Sequence, residues 1–164
     1  MASRLEKVAN MFMIVACTVI VGDYVYHKLP GVKSKPGVFH SGEHIQATPA
    51  VGLSDSPRTL LLATSNTCPY CLASMPYFKD LAEEAHKAGT RVIAISDDPE
   101  GVNQAYLASH GITPEKVLSG KQSGVFVPQI PTLILVRSDG TVIDSWTGQA
   151  DSALEKSVAK LIRN

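Results

Sequence analysis

The apolar residues of this chain fall into two regimes, one continuous and one periodic. Residues 8–22 read VANMFMIVACTVIVG, fifteen positions without a charge, whereas beyond residue 57 short apolar runs alternate with helix-spaced ones. In the second regime, residues 58–64 (RTLLLAT) have the length and continuity of a buried strand. Cys71, Met75, Phe78, Leu81, Ala82 and Ala85 then recur at helical spacing over residues 71–88, and Gly89 is placed to end that helix. Residues 91–96 (RVIAIS) repeat the strand pattern. Asp98 followed by Pro99 predicts an N-cap and a first-turn proline for a helix reaching about residue 110, closed by Gly111. After a short segment near Val117 and Leu118, residues 132–136 (TLILV) and 141–146 (TVIDSW) flank Ser138-Asp139-Gly140, a hairpin signal. Residues 151–163 place Leu154, Val158, Leu161 and Ile162 on one helical face. The order is βαβα, a hairpin, then α. Parallel strands need helical crossovers and a hairpin adds antiparallel partners, so the pattern predicts a three-layer α/β sandwich with a mixed central sheet.

The continuous regime reads differently. Fifteen residues at helical rise cover ~22 Å of the ~30 Å hydrocarbon core. Asp23 can snorkel, and Tyr24 and Tyr26 suit the interface. Residues 1–26 are therefore expected to be a signal anchor or transmembrane helix, with residues 8–26 meeting the membrane. A cleaved signal peptide and a buried helix are the rival readings. The anchor is favoured because no clean A-x-A site closes the run. Ile14-Val15-Ala16-Cys17 also resembles a bacterial lipobox, which would lipidate Cys17. The apolar run continues past that residue, which favours a small filler in a membrane helix. Arg4 and Lys7 on one side face Lys28, Lys33 and Lys35 on the other, so charge does not orient the anchor. Residues 27–57, broken by Pro30, Gly31, Pro36, Gly37, Gly42, Pro49, Gly52 and Pro57, read as a tether with short extended pieces. Residues 58–164 form the expected domain.

A length of 164 residues suits one domain and an appendage. Lys+Arg and Asp+Glu number 15 each, so there is no net charge to attract nucleic acid. Phosphate-loop, dinucleotide and nucleophile-elbow glycine patterns are absent from the sequence, which leaves nucleotide and acyl chemistry no foothold. Of three cysteines, two are spaced as Cys68-Pro69-Tyr70-Cys71.

Cys68 falls where the first strand meets its helix. Unpaired backbone N–H groups and the helix dipole favour negative charge there. Such a position can bring a cysteine pKa from ~8.5 into the ~3.5–7.5 range. One helical turn brings Cys71 beneath Cys68, close enough to attack a mixed disulfide, which assigns Cys68 to attack and Cys71 to resolution. Pro69 fits the first helical position, and Pro76 predicts a kink. Pro131 stands where a strand begins. A cis bond there would leave the Ile130 backbone free beside the dithiol to pair with an extended substrate.

Together, Cys68-Pro-Tyr-Cys71 after a strand, Pro76, the Ile130-Pro131-Thr132 step and the TLILVRSDGTVIDSWTG hairpin resemble a thioredoxin-fold thiol–disulfide oxidoreductase, most of all the membrane-anchored TlpA-like branch. The likeness covers roughly residues 40–164. It implies a catalytic Cys68–Cys71 disulfide couple, with Pro69, Tyr70, Ile130 and cis-Pro131 at the substrate surface and no metal or cofactor. It further implies a single-pass protein of the cytoplasmic membrane whose domain faces the periplasm or cell exterior. There it would exchange with protein dithiols or disulfides and an upstream redox partner, the reductase direction being slightly favoured. Two departures stand out. Thr67 replaces a common Trp, and Leu62 replaces the buried acid that takes the resolving thiol's proton.

Rival chemistries use the same sulfurs. A Cu(I)-handling assembly protein would need a further His or Met, and no His adjoins Pro131. A zinc site would have to borrow His40 and His44 from the tether. His86 and His110 are expected at helix C-termini, Trp146 against the sheet, and Glu83 paired with Lys87.

Overall fold

A computed structural model describes residues 39–99 and 101–163, together with Met13, Cys17 and Thr18. Strands β1 (Arg58–Ala63), β2 (Arg91–Ile95), β3 (Lys116–Leu118), β4 (Thr132–Arg137) and β5 (Val142–Thr147) form one sheet in the order β3-β2-β1-β4-β5. Helix α1 (Pro69–Lys87) joins β1 to β2, and α2 (Val102–Ser109) joins β2 to β3. The short α3 (Gly120–Ser123) precedes β4, and α4 (Ser152–Arg163) ends the chain. β1, β2 and β3 run parallel, while β4 is antiparallel to both β1 and β5.

β1 and β2 are central and covered on both faces, so their residues are apolar in continuous runs. Leu60 and Leu62 face a cluster with Met75 and Phe78 of α1, Leu107 of α2, and Val158 and Ile162 of α4. Leu61, Ala63 and Ile93 face the other way. The two crossovers step outward in the same direction. Right-handed connections then lay α1 and α2 on one face, and the hairpin returns α4 to that face against α1.

The opposite face has no long helix among the described residues. Residues 39–57 and the turn after α3 cover it, through Ile45, Val51 and Val125. The described part of the Pro/Gly-rich stretch is thus packed on the sheet. Ile45 and Val51 are buried, and Gly42 and Glu43 exchange backbone bonds of 2.8 and 2.7 Å with Val142. Gly124 allows this cover to close. At φ 72° its absent Cβ would meet the Gln46 carbonyl at 2.9 Å, and the Thr48 N–H donates to the Ser123 carbonyl at 2.8 Å.

Helix α2 starts later than its sequence predicts. Gly101, not Asp98, is its N-cap, because the Asp98 carboxylate is engaged by the loop before Cys68. Its end agrees: His110 is the C-cap, its Nδ1 2.9 Å from the Tyr106 carbonyl. Trp146 packs against the helical cluster, and Glu83 pairs with Lys79 at 4.0 Å, one turn before Lys87. α1 continues through Pro76.

The expected anchor, residues 8–26, and the first half of the tether, residues 27–38, lie outside the described residues apart from Met13, Cys17 and Thr18, which are helical. Among the described residues no helix is long and apolar enough to cross a membrane.

Candidate active site

β1 stops at Ala63 because the chain turns away in a polar loop, residues 64–67 (TSNT). Cys68 then caps α1 in an extended conformation, φ −91° and ψ 111°, and its sulfur accepts the Cys71 N–H at 3.1 Å. A helix donor that would otherwise lack a partner thus points at this sulfur, and it is positioned to hold negative charge there. Pro69 occupies the first helical turn, where its missing N–H costs nothing.

Cys68 and Cys71 form a disulfide, with Cα atoms 5.2 Å apart. Cys68 is 9% exposed and Cys71 is sealed at 0%, so a visiting thiolate reaches Cys68 first. Cys71 lies in the helical cluster with Leu62 and Met75. Leu62 is itself buried, so the departure read from the sequence persists in three dimensions: an alkyl side chain fills the place of the acid.

The loop before β4 overlooks the couple. The Ile130–Pro131 peptide is cis, and the Ile130 carbonyl oxygen lies 3.9 Å from Cys68 Sγ. Thr132 fixes this loop, since its hydroxyl donates to the Gln129 carbonyl at 2.8 Å and meets the Thr147 hydroxyl at 2.9 Å. The Gly148 N–H adds a 2.9 Å bond to the Pro131 carbonyl. Tyr70, Leu72, Phe126 and Ile130 are exposed around the site, Phe126 at 79%. A cleft of about 320 Å³ beside Ile130 is lined also by Phe126, Pro128, Thr64, Ser65 and Asp98.

The structure therefore brings together Cys68, Pro69, Cys71, Ile130 and Pro131, with Tyr70 exposed in the first turn of the same helix. Sequence reasoning missed Asp98, which binds the Ser65–Asn66 loop, and Ser74, whose hydroxyl donates to the Tyr70 carbonyl and accepts the Ala150 N–H. The Asp98 bonds and the Ala150–Ser74 bond leave no spacing signal, because they reach 32 to 76 positions along the chain. Burial, and secondarily the Asp98 carboxylate, holds the Tyr106 phenol above its usual range.

Strand register separates His44 from the sulfurs. His44 pairs with Thr141 beside the Arg137 end of β4, whereas the dithiol adjoins the Thr132 end. A six-residue strand lies between, about 17 Å, too far for His44 to share a metal with Cys68. Among the described residues no three His, Cys, Asp or Glu side chains converge as a metal site.

The Redoxin family model matches residues 50–162. Solved structures share the fold at low identity. The thioredoxin domain of a thiol-disulfide oxidoreductase from Bacteroides vulgatus has a TM-score of 0.60 at 15% identity, covering 76% of this chain and 99% of that one. A thiol:disulfide interchange protein from Bacteroides sp. has a TM-score of 0.61 at 15% identity, covering 77% and 92%. The peroxidoxin BcpB of Mycobacterium tuberculosis has a TM-score of 0.57 at 18% identity, covering 76% and 97%. No curated protein matches the chain. With its dithiol at the head of α1 and the family match running from before β1 into α4, the chain belongs to the Redoxin family of thioredoxin-fold thiol–disulfide oxidoreductases.

Proposed function

We propose that Cys68 is the attacking sulfur and Cys71 the resolving one in disulfide exchange with proteins, at a membrane surface. The observation that carries this reading is the asymmetry of the pair: Cys68 is reachable and hydrogen-bonded by the Cys71 N–H, while Cys71 lies sealed one turn below.

In the reducing direction the Cys68 thiolate attacks one sulfur of a substrate disulfide. A Cys68–substrate disulfide forms and the other substrate sulfur leaves as a thiolate, which takes up a proton. Cys71, losing its proton, attacks Cys68 Sγ. The substrate's second sulfur departs, the Cys68–Cys71 disulfide closes, and two electrons have passed to the substrate. An upstream dithiol then reopens the couple. With Leu62 in place of an acid, the Cys71 proton leaves to water or to the departing thiolate.

Ile130 offers its backbone beside Cys68, and an extended substrate segment pairs there. Tyr70 and Phe126 supply apolar contact to it. Reduction is favoured over oxidation by the resemblance to TlpA-like proteins. The fifteen charge-free residues at 8–22 support a single-pass anchor in the cytoplasmic membrane, with the domain on the periplasmic or outer side.

The potential of the Cys68–Cys71 couple tests the direction. A value near −270 mV marks a reductant, and one near −120 mV an oxidant that would overturn it. Membrane fractionation tests the anchor: deleting residues 1–26 is expected to release the protein, and a full-length chain already free of membranes contradicts the anchor.

A further inference from the structure

The loop that delivers Cys68 is held from outside its own strand and helix. Asp98 follows β2, and its two carboxylate oxygens diverge onto that loop. Oδ1 accepts the Ser65 hydroxyl at 2.7 Å, and Oδ2 accepts the Asn66 N–H at 2.8 Å. Ser65 extends the grip. Its Oγ accepts the Thr67 N–H at 3.2 Å and meets the Thr67 hydroxyl at 3.0 Å, and its carbonyl accepts the Cys68 N–H at 3.3 Å. Asp98 is itself steadied where its N–H donates to Ser96 Oγ at 3.2 Å. One carboxylate thus holds Ser65 and Asn66 through two charge-assisted bonds, which are stronger than neutral ones, and Ser65 passes that hold to Thr67 and Cys68.

We infer that Asp98 is a positioning residue for the nucleophile: acting through Ser65 and Asn66, it holds Cys68 at the start of α1, where the Cys71 N–H meets its sulfur. The inference rests on Cys68 being the attacking sulfur. It explains why the sequence's best capping residue caps nothing on its own helix, since the same side chain cannot serve both. It also means that the end of β2 sets the reactivity of a sulfur carried between β1 and α1.

A competing effect has the opposite sign. A bare negative charge near Cys68 opposes thiolate formation, so deleting it would raise reactivity. Positioning does the reverse: without the clamp the sulfur loses its aligned N–H donor and reactivity falls.

The test is the pH profile of iodoacetamide alkylation of Cys68 in the reduced full-length protein, read by mass spectrometry on the Cys68 peptide. Asp98→Ala is expected to move the profile up by about one pH unit, about tenfold slower alkylation near neutrality. Asp98→Asn is expected to stay within about threefold of the parent. Its carbonyl still accepts the Asn66 N–H, and its amide donates to Ser65 Oγ while the Ser65 hydroxyl turns to Thr67. An Asp98→Ala profile that stays in place or moves to lower pH overturns the inference. So does an Asp98→Asn variant no closer to the parent than Asp98→Ala. Should Asp98→Ala fail to fold, Ser65→Ala cuts the same chain while keeping the carboxylate. It is expected to move the profile in the same direction, and an unmoved profile in that folded variant is equally fatal. Alkylation is read on the sulfur itself without turnover, so this result stands apart from whether Cys68→Ser abolishes exchange.

Discussion

The sulfur of Cys68 lies 3.9 Å from the carbonyl oxygen of Ile130, a contact that joins residues 62 positions apart. It places the sulfur proposed to attack at the edge of a backbone segment with an exposed side chain and an apolar rim. A substrate strand that pairs with Ile130 would carry its own sulfur to Cys68 and lay its flanking side chains on Tyr70 and Phe126.

Tyr70→Ser and Phe126→Ser should therefore raise KM for a protein disulfide while leaving reaction with a small aromatic disulfide unchanged. Withdrawing an aromatic ring from an interface forgoes about 1–2 kcal/mol, or about tenfold in affinity. Steady-state kinetics on insulin and on the small disulfide, side by side, provide the check. Equal losses on both would place the rings in the chemistry rather than in docking.

How much of this was legible beforehand follows from the range of each interaction. β1, β2 and the β4–β5 hairpin are set by local apolar runs and a turn, and their edges fall within a residue or two of expectation. Cys68 and Cys71 declare themselves because the chemistry needs one helical turn. The packing of residues 39–57 is legible only through the resemblance, which reaches back to about residue 40: its apolar anchors, Ile45 and Val51, are sparse, and its prolines and glycines bend a covering segment that reads as a tether. Asp98 followed by Pro99 signals a cap because a capping signal is local, whereas the partners of Asp98 lie 32 and 33 residues upstream.

Ser74 is buried and links the head of α1 to the segment before α4. Its hydroxyl donates to the Tyr70 carbonyl at 2.8 Å and accepts the Ala150 N–H at 3.0 Å. Ser74→Ala leaves the Ala150 N–H without that acceptor and should cost about 1–2 kcal/mol. Urea unfolding should show a lower midpoint at an unchanged slope.

Tyr77 gives a pH signature of stability. Burial first, then the Glu155 and Glu84 carboxylates, hold its phenol well above the usual tyrosine range. The unfolded chain therefore loses this proton before the folded one does. The associated stability is complete below about pH 10, the ordinary tyrosine value, and declines as pH rises past it. Its buried hydroxyl has no hydrogen-bond partner among the described residues, so Tyr77→Phe should keep or slightly raise stability at neutral pH and flatten the alkaline decline. Thermal melts from neutral to about pH 11 would show it.

The asymmetric pair at the head of α1 is tested most directly by trapping. Cys71→Ser, mixed with a disulfide-bearing protein, should accumulate a covalent complex through Cys68 that a reductant dissolves. Cys68→Ser should trap nothing and should reduce insulin no faster than the uncatalysed reaction. A Cys68→Ser variant that reduces insulin at the parental rate, or forms the complex through Cys71, would contradict the assignment.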